Sequence, residues 1–301
     1  MKNDRDGHTH EEAQAKKNMP ENASAPGTTQ VLFCESKAKK NKPENTSAPG
    51  SPGGCAEGEV VLTVRALSGL SGDMLLGGLA ALAGVGDAEL GRMVAELHIP
   101  VPENCVRLET RSVNSAAGIG CRIDLPHEHA HRTFKDIAAL IASSDMPEEA
   151  KTPALKSFTL LAAAEAAVHG CTQESVTFHE VGALDSIIDS CLCCRLFALL
   201  KPARFVCSPL PLADGCIPCA HGLLPSPAPA VLRMLEGISV RGFAGVGETV
   251  TPTALSLLKA LHADFGPWPE MTVLKTAISY GTKVFPDAPN GALWALGRGI
   301  G

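Results

Sequence analysis

Three histidines, His127, His129 and His131, stand at alternate positions in an interior segment of this 301-residue chain. In an extended segment, residues two apart project to the same side, so the three imidazoles are expected to share one side. A straight strand would separate the outer pair by about 13 Å, which is too far for both to bind one ion at a bond length of about 2 Å. The run therefore predicts a metal site that takes two neighbouring imidazoles from here and further ligands from elsewhere. The alternative is an exposed, solvated loop.

A second group of polar side chains, His179, Glu180, Asp185 and Asp189, surrounds a glycine turn at Gly182. Asp185 is placed to cap the helix that follows, and Asp189 lies one helical turn along on the same face. Capping and the helix dipole account for one of these acids. They do not account for the adjacent histidine and glutamate, so the segment predicts a functional site.

His221 is presented by a proline-rich loop that we predict from Pro209 to Pro227. The spacing of Cys216 and Cys219 occurs in zinc sites, but no second pair follows at the distance of a zinc finger. We therefore interpret these two cysteines as structural and His221 as a further candidate metal ligand.

The stretch 68–73 consists of small residues between a predicted strand and a predicted helix. Such a turn directs backbone N–H groups and a helix N-terminus toward an anion. No Gly-Lys-Ser/Thr follows, so it is not a Walker phosphate loop. The alternative is that the glycines serve close packing. The candidate anion-binding residues are Ser68, Ser71, Gly72 and Asp73.

Strands and helices are predicted to alternate after residue 59. The continuous apolar run Val60–Val64 is typical of a buried strand, and Met74–Leu82 of a buried helix. Thr133 is predicted to cap a helix over 134–141, and Pro147 to open a long helix that ends at Gly170. Further helices are predicted over 88–98, 185–200 and 253–261. The pattern indicates an α/β fold with a mixed sheet and packed helices, whose strand order the sequence leaves open.

The first 58 residues have a different composition from the rest. The segment Lys16–Gly27 recurs as Lys39–Gly50, in a tandem repeat rich in Lys, Asn, Pro, Ser and Gly. Such a sequence buries too little apolar surface to offset the entropy of ordering. We predict a disordered low-complexity tail over residues 1–58 and one folded domain over 59–301.

Composition excludes several classes of function. A net charge of −6 argues against a nucleic-acid partner, which requires a basic face, and no stretch reaches the apolar length of a membrane span. The first residues lack the apolar core of a signal peptide. Eleven cysteines without a regular framework are typical of reduced thiols in the cytoplasm.

These motifs, in this order, resemble the LarC family of nickel-insertion proteins. The resemblance covers about residue 60 to the C-terminus. It is carried by Ser68–Met74, His127–Arg132, Phe178–Asp189, Ala220–Ala230 and Gly247–Thr253.

The resemblance implies a CTP-dependent nickel chelatase, or cyclometallase, acting with Mg²⁺ or Mn²⁺. Its substrate would be a pyridinium mononucleotide with two thiocarboxylates, which becomes the nickel-pincer cofactor of lactate racemase. Nickel would be held by His127, His129, His131, His179 and His221, since imidazole suits this metal. The phosphate would bind at the turn 68–73, and Glu180 or Asp185 would accept the proton displaced from the ring.

The sequence also departs from the family pattern. Arg65 and Ala66 stand where an acidic residue and a cysteine are usual, and Ala254 replaces a glycine. The family's carboxyl-terminal domain, associated with CTP binding and oligomerisation, is not in this sequence. We therefore expect the family's amino-terminal domain alone, working with a separate carboxyl-terminal subunit and delivering the cofactor to a lactate racemase-like apoenzyme.

Three alternatives remain at this point. The chain could be a nickel carrier without chemistry of its own, or a degenerate half of the enzyme. It could also be a zinc- or manganese-dependent hydrolase, because His, Asp and Glu suit those metals as well.

Overall fold

The computed structural model describes residues 56–102, 104–125, 132–178, 181–219 and 222–301. The predicted tail over 1–58 falls almost wholly outside these ranges, so both its disorder and the division at residue 59 stay predictions. The predicted nickel ligands and Glu180 lie outside them as well; these are His127, His129, His131, His179, His221 and Glu180.

The described residues form thirteen strands and seven α-helices. The strands are β1 (Val60–Ala66), β2 (Val106–Val113), β3 (Ala116–Ile123), β4 (Arg132–Thr133), β5 (Thr177–Phe178), β6 (Arg204–Cys207), β7 (Leu210–Asp214), β8 (Cys216–Cys219), β9 (Gly222–Pro225), β10 (Val240–Val246), β11 (Asp264–Phe265), β12 (Met271–Tyr280) and β13 (Ala292–Gly299). The helices are α1 (Gly72–Ala83), α2 (Asp87–Ala95), α3 (Phe134–Ser143), α4 (Glu148–His169), α5 (Leu184–Leu200), α6 (Pro229–Met234) and α7 (Pro252–Ala260).

Seven strands form one mixed sheet in the order β11-β6-β1-β13-β12-β3-β2. Strands β1, β6 and β11 are parallel, whereas β13 is antiparallel to both β1 and β12. Strand β12 is parallel to β3, which forms an antiparallel pair with β2. The α/β class with a mixed sheet is therefore confirmed.

Strand β1 lies inside this sheet, as its continuous apolar run predicts. Leu62 and Val64 are fully buried and belong to the core beneath the helices. Thr63, on the other face, is also fully buried, and its hydroxyl donates to the Val206 carbonyl of β6 at 2.9 Å. Both faces are closed to solvent here, which is why the strand reads as an unbroken apolar run.

The helices are layered on one face of the sheet. Helix α1 packs on β3, β12 and β13, α5 packs on α1, and α4 packs on α5 and α7. The predicted start of α3 and the predicted ends of α4 are confirmed, whereas α3 continues past residue 141 to Ser143. Thr133 forms a capping box with Asp136, and α4 runs from the residue after Pro147 to Gly170, whose φ is +64°. The packing of α5 on α1 places their starts close together, since a Cβ at Gly72 of α1 would lie 2.9 Å from Oδ2 of Asp189 on α5.

The predicted loop from Pro209 to Pro227 is wrong, because it contains strands β7, β8 and β9. These strands form two-stranded pairs, β7 with β10 and β8 with β9. An edge strand tolerates proline because not every N–H is needed by a neighbour. Helix α2 is also shorter than predicted. It ends at Ala95, and the chain then turns through His98 with φ +55°.

Within the described ranges, no single helix is long and apolar enough to cross a membrane. Helices α1 and α2 reach that length and composition together, but they are bent by 115° relative to one another.

The packing of α1 on the sheet gives a testable contrast between two adjacent glycines. A Cβ at Gly78 would lie 2.1 Å from the Trp294 indole, which is fixed by a 2.9 Å hydrogen bond to Ser279. A Cβ at Gly77 would meet nothing closer than 3.6 Å. We expect Gly78→Ala to lower the free energy of unfolding by about 3 kcal/mol or more through overpacking. Gly77→Ala should be neutral or stabilising by up to about 1 kcal/mol. Urea unfolding of both variants measures this, and equal effects would contradict the packing described.

Candidate functional site

A cavity of about 870 Å³ opens where α1 and α5 begin. Its walls come from these two helix starts, from β2, β3 and β12, from β8, and from the segments around residues 247–251 and 281–285. Carboxylates and cations both face it. The charged residues of its lining are Asp73, Asp185, Asp189, Glu248, Arg111, Arg122 and Lys283.

The predicted anion-binding residues, Ser68, Ser71, Gly72 and Asp73, all line this cavity. Part of the turn that carries them serves close packing. A Cβ at Gly69 would lie 2.3 Å from the Thr249 carbonyl, and the Leu70 N–H donates to that carbonyl at 2.8 Å. Packing therefore explains Gly69 and Leu70, while anion binding by the other four stays a prediction.

Asp73 occupies the first turn of α1. Its carboxylate accepts a hydrogen bond from the hydroxyl of Ser71, the N-cap residue. Burial raises the pKa of Asp73, and the hydrogen bonds from Ser71 and the Met74 amide, with the charge of Arg111, offset part of that rise. The anion at this helix start is thus supplied by the chain itself.

Asp185 does not cap α5, contrary to the prediction. The N-cap is Ala183, and the Asp185 carboxylate accepts instead from the amide of Ser186 at 2.7 Å. The helix starts earlier than predicted because Gly182 turns tightly. A Cβ there would lie 2.8 Å from Cβ of Phe178. Asp185 is thereby exposed at the cavity, free of a capping role.

Asp189, one turn further along α5, is the residue that the sequence reasoning undervalued. Its Oδ1 atom is shielded from solvent and has no hydrogen-bond partner among the described residues. Its Oδ2 atom lies against the first residue of α1, since a Cβ at Gly72 would be 2.9 Å away. Burial raises the pKa of Asp189 well above its usual range, and the charges of Asp73 and Asp185 raise it further. The available signal was an aspartate inside the buried apolar stretch 187–194.

The cations of the lining hold the rim of the cavity. Arg111 donates to the Gly281 carbonyl at 2.9 Å, and Lys283 donates to the carbonyls of Val246 and Glu248 at 3.0 and 3.1 Å. These contacts tie β2 and the segments 281–283 and 246–248 to one another. Arg111 and Lys283 therefore place positive charge at the rim, where Glu248 also lines the cavity and Arg111 lies 3.6 Å from Glu109.

The residues that flank two predicted ligand segments are cross-strand partners. Arg132, which follows His131 in sequence, pairs with Phe178, which precedes His179. The Arg132 guanidinium also donates to the Gly182 carbonyl at 3.1 Å. The described backbone ends beside these two segments therefore lie side by side.

The third predicted ligand segment is flanked by a hairpin. Cys219 of β8 pairs with Gly222 of β9. A smaller cavity of about 270 Å³ is lined by Phe178 and Val181 on one side and by Pro218 and Leu224 of this hairpin on the other. The two cavities share part of their lining, namely Ile217, Pro218 and Glu248. Phe178 and Val181, which flank residues 179–180, line the smaller cavity and so adjoin the larger one across strand β8.

No group of three or more His, Cys, Asp or Glu side chains suited to a metal occurs among the described residues. All five predicted histidine ligands lie outside those residues, so the ligand set stays a prediction. The acidic helix starts by themselves do not form a metal site.

Comparison with known proteins identifies the family. Residues 62–296 match the family described as nickel insertion protein. The chain belongs to this family. A protein of Myxococcus xanthus (strain DK1622), provisionally named a nickel insertion protein, is 39% identical over 239 residues, which are 79% of this chain and 60% of the relative. A Nocardioides protein (strain ATCC BAA-499 / JS614) named pyridinium-3,5-bisthiocarboxylic acid mononucleotide nickel insertion protein is 38% identical over 227 residues, 75% of this chain and 57% of the relative. The chain thus spans less than two thirds of these relatives, and no solved structure matches it.

Arg65, noted above as a departure from the family pattern, lies away from the cavity of this nickel insertion family member. It is buried in β1 and donates to the carbonyls of Gly266 and Pro267 at 2.6 and 3.1 Å, with its guanidinium 5.5 Å from the ring centre of Trp268. Arg65 therefore fastens the loop after β11 to the sheet and leaves the lining of the cavity unchanged.

The thiols of this chain are mostly shielded from solvent. Of the eight cysteines whose side chains are described, six are buried, and burial raises the pKa of Cys191 and of Cys207 to about 12. Cys216 and Cys219 bound an extended strand, which separates their Cα atoms by about 10 Å. That exceeds the limit of about 7 Å for a disulfide, and the structural interpretation of this pair stays a prediction.

The raised pKa of Asp189 predicts how stability depends on pH. Between the unfolded pKa of about 3.9 and the higher folded value, Asp189 binds more protons in the folded state than in the unfolded state, so its contribution to stability falls as pH rises. Asp189→Asn removes this penalty. We expect the free energy of unfolding of the variant, minus that of the wild type, to increase by about 1.4 kcal/mol for each pH unit in that window.

Urea unfolding at successive pH values measures the difference. The control is Asp287→Asn, an exposed aspartate outside the cavity, for which the difference should stay constant. A constant difference for Asp189→Asn as well would contradict a carboxylate whose Oδ1 atom is shielded from solvent and has no partner among the described residues.

Proposed function

We propose that this chain carries out nickel insertion into pyridinium-3,5-bisthiocarboxylic acid mononucleotide. The observation that carries the proposal is a cavity of about 870 Å³ that is lined by both acidic and basic side chains and lies beside the flanks of the histidine segments. The chain that contains it belongs to the nickel insertion family. A volume of this size accommodates a mononucleotide, since small-molecule sites commonly span about 300–1,000 Å³. The substrate name is that of the Nocardioides relative.

The charges of the lining complement such a substrate. A pyridinium ring is a cation, and Asp73, Asp185 and Asp189 supply negative charge at the helix starts. A phosphate is an anion, and Arg111 and Lys283 supply positive charge at the rim. We propose that the ring lies toward the carboxylates, with the phosphate toward the rim cations.

The histidine segments supply the metal in this proposal. Imidazole is a suitable ligand for nickel, and the softer sulfur atoms of the substrate are stronger competitors for it. An ion held by His127, His129, His131, His179 and His221 can therefore pass to the substrate, whereas a closed thiolate site would retain it. The pairing of Arg132 with Phe178 supports convergence of two of these segments.

Several finer features belong to the same proposal and rest on the resemblance to the LarC family. These are the use of CTP with Mg²⁺ or Mn²⁺, the lyase-type formation of a nickel–carbon bond, delivery to a lactate racemase-like apoenzyme, and a cytoplasmic location. The additional length of the relatives leads us to propose that a separate carboxyl-terminal subunit completes the reaction.

Replacing His127, His129 and His131 together by alanine tests the metal supply. We expect nickel binding, measured by titration calorimetry, to fall at least 100-fold. Formation of the nickel cofactor from substrate, nickel and CTP should fall in parallel, because the donor site is lost. A nickel carrier without chemistry would lose binding in the same variant, but the wild type would form no product.

The matched control replaces histidines outside these segments. His98→Asn and His262→Asn suit the positive φ of both positions, 55° and 54°, and should leave nickel binding unchanged. Unchanged affinity in the triple variant would overturn the proposed metal supply. Absence of product from the wild type, even with the carboxyl-terminal region of a relative supplied, would overturn nickel insertion itself.

Arg132 provides a test that removes no ligand. Its guanidinium holds the turn at Gly182 beside β4. Groups that orient metal ligands typically contribute about 10–100-fold to affinity, so we expect Arg132→Gln to weaken nickel binding by about 10-fold. The control is Arg233→Gln on the exposed side of α6. Equal nickel affinities for the two variants, measured by calorimetry, would contradict the role of this contact.

A further inference from the structure

The cavity contains a carboxylate whose surroundings fit proton transfer better than metal binding. Asp189 lines the cavity, and its Oδ1 atom is closed off from solvent without a hydrogen-bond partner among the described residues. A buried polar atom left in this state costs about 1–3 kcal/mol, so a structure that keeps it is expected to use it. Capping cannot be the reason, because Asp189 lies in the second turn of α5.

The backbone is shaped to admit this side chain. Oδ2 of Asp189 occupies the space that a Cβ at residue 72 would need, at 2.9 Å. Gly72 is the first residue of α1, so Oδ2 sits against the positive end of that helix. The helix therefore stabilises the ionised form that a proton acceptor must adopt, while burial opposes it.

The neighbouring groups that influence Asp189 are few and mostly acidic. Burial is the largest cause of the raised pKa of Asp189, and the charges of Asp73 on α1 and Asp185 on α5 raise it further. In turn Asp189 raises the pKa values of Cys193 on α5 and Cys121 on β3, both of which are already raised more strongly by burial. From α7, Thr253 contributes an uncharged methyl group near the same point. The remaining charges of the cavity are those of Glu248, Arg111, Arg122 and Lys283.

We propose that Asp189 accepts the ring proton that leaves when nickel bonds to carbon. This inference rests on the proposed function and assigns to Asp189 the role that the sequence suggested for Glu180 or Asp185. The electron pair of the carbon–hydrogen bond becomes the carbon–nickel bond, and the proton passes to the Asp189 carboxylate. Nickel stays divalent, so no oxidant or reductant is consumed.

A raised pKa makes Asp189 suited to this step. A base is most effective when its pKa lies near the working pH, because it is then both ionised and strongly basic. An ordinary exposed carboxylate is a much weaker base. Like-charge repulsion from Asp73 raises the affinity of Asp189 for the proton.

Single-turnover nickel insertion tests the assignment. The full chain is mixed with nickel, substrate and CTP, together with the carboxyl-terminal region of a relative. We expect Asp189→Asn to retain nickel binding and, at saturating substrate, to lose about 10²–10⁴-fold in the rate of insertion. Asp185→Asn, the same change four residues earlier, should lose much less. Asp287→Asn, outside the cavity, should match the wild type.

The pH profile separates a chemical role from a structural one. The wild-type rate should rise with pH as Asp189 ionises, and Asp189→Asn should lose that rise. Asp73→Asn should move the rise to lower pH, because removing a neighbouring negative charge lowers the pKa of Asp189. If Asp189 had only a structural role, its replacement would lower the rate by the same factor at every pH and would leave the pH of the rise unchanged.

Infrared difference spectroscopy gives a readout that does not depend on turnover. Protonated carboxylic acid bands should titrate in the wild type above the range of exposed aspartates, and Asp189→Asn should lose the component of Asp189 while keeping that of Asp73. Product formation by Asp189→Asn at the wild-type rate, or lack of the Asp189 component in the wild type, would overturn the role of Asp189 alone. Absence of wild-type product would instead overturn the proposed function.

Discussion

The contact between the start of α1 and the second turn of α5 is the constraint on which the site depends. A carboxylate oxygen of Asp189 fills the space beside Gly72 that any other residue would occupy. This close approach requires α5 to lie directly on α1, and α1 to lie directly on the sheet through Gly78 and Trp294. Any change that lifts either helix moves the carboxylates away from the cavity, so packing and electrostatics are fixed together.

The sheet supplies the opposite wall. Strands β2, β3 and β12 end near the cavity, and Arg111 and Lys283 fasten the loops around it through carbonyl groups. A bridge between Leu70 and Val250 links the entry of α1 to the segment before α7. The turn 68–73 therefore works first as a junction of backbones, and its small residues are explained largely by how closely the chains pass.

Local patterns were sufficient to predict most of the helices and the class of the fold. The apolar run of β1, the cap at Thr133 and the end of α4 at Gly170 each depend on neighbouring residues alone, and each was predicted correctly. The strands between Leu210 and Pro225 were missed, because proline argues against strands unless they pair at an edge, and edge pairing is a property of the tertiary fold.

The candidate site was predictable only in part for the same reason. The cavity-lining turn and Asp185 follow from motifs, but the burial of Asp189 depends on Gly72, more than 110 residues earlier in the chain. The capping role of Asp185 was wrong because the turn at Gly182 starts α5 sooner. The histidine ligands lie outside the described residues, so the structure bears on them only through their flanks.

The buried thiols have a consequence for a protein of the nickel insertion family. Thiolate sulfur is among the firmest ligands for late transition metals, and it coordinates only after losing its proton. The apolar surroundings of Cys191, Cys193, Cys194 and Cys207 keep those sulfurs protonated. In the proposed nickel insertion, these four thiols would therefore not compete with the substrate for the metal, whereas Cys216, which is exposed and lines the cavity, is not shielded in this way.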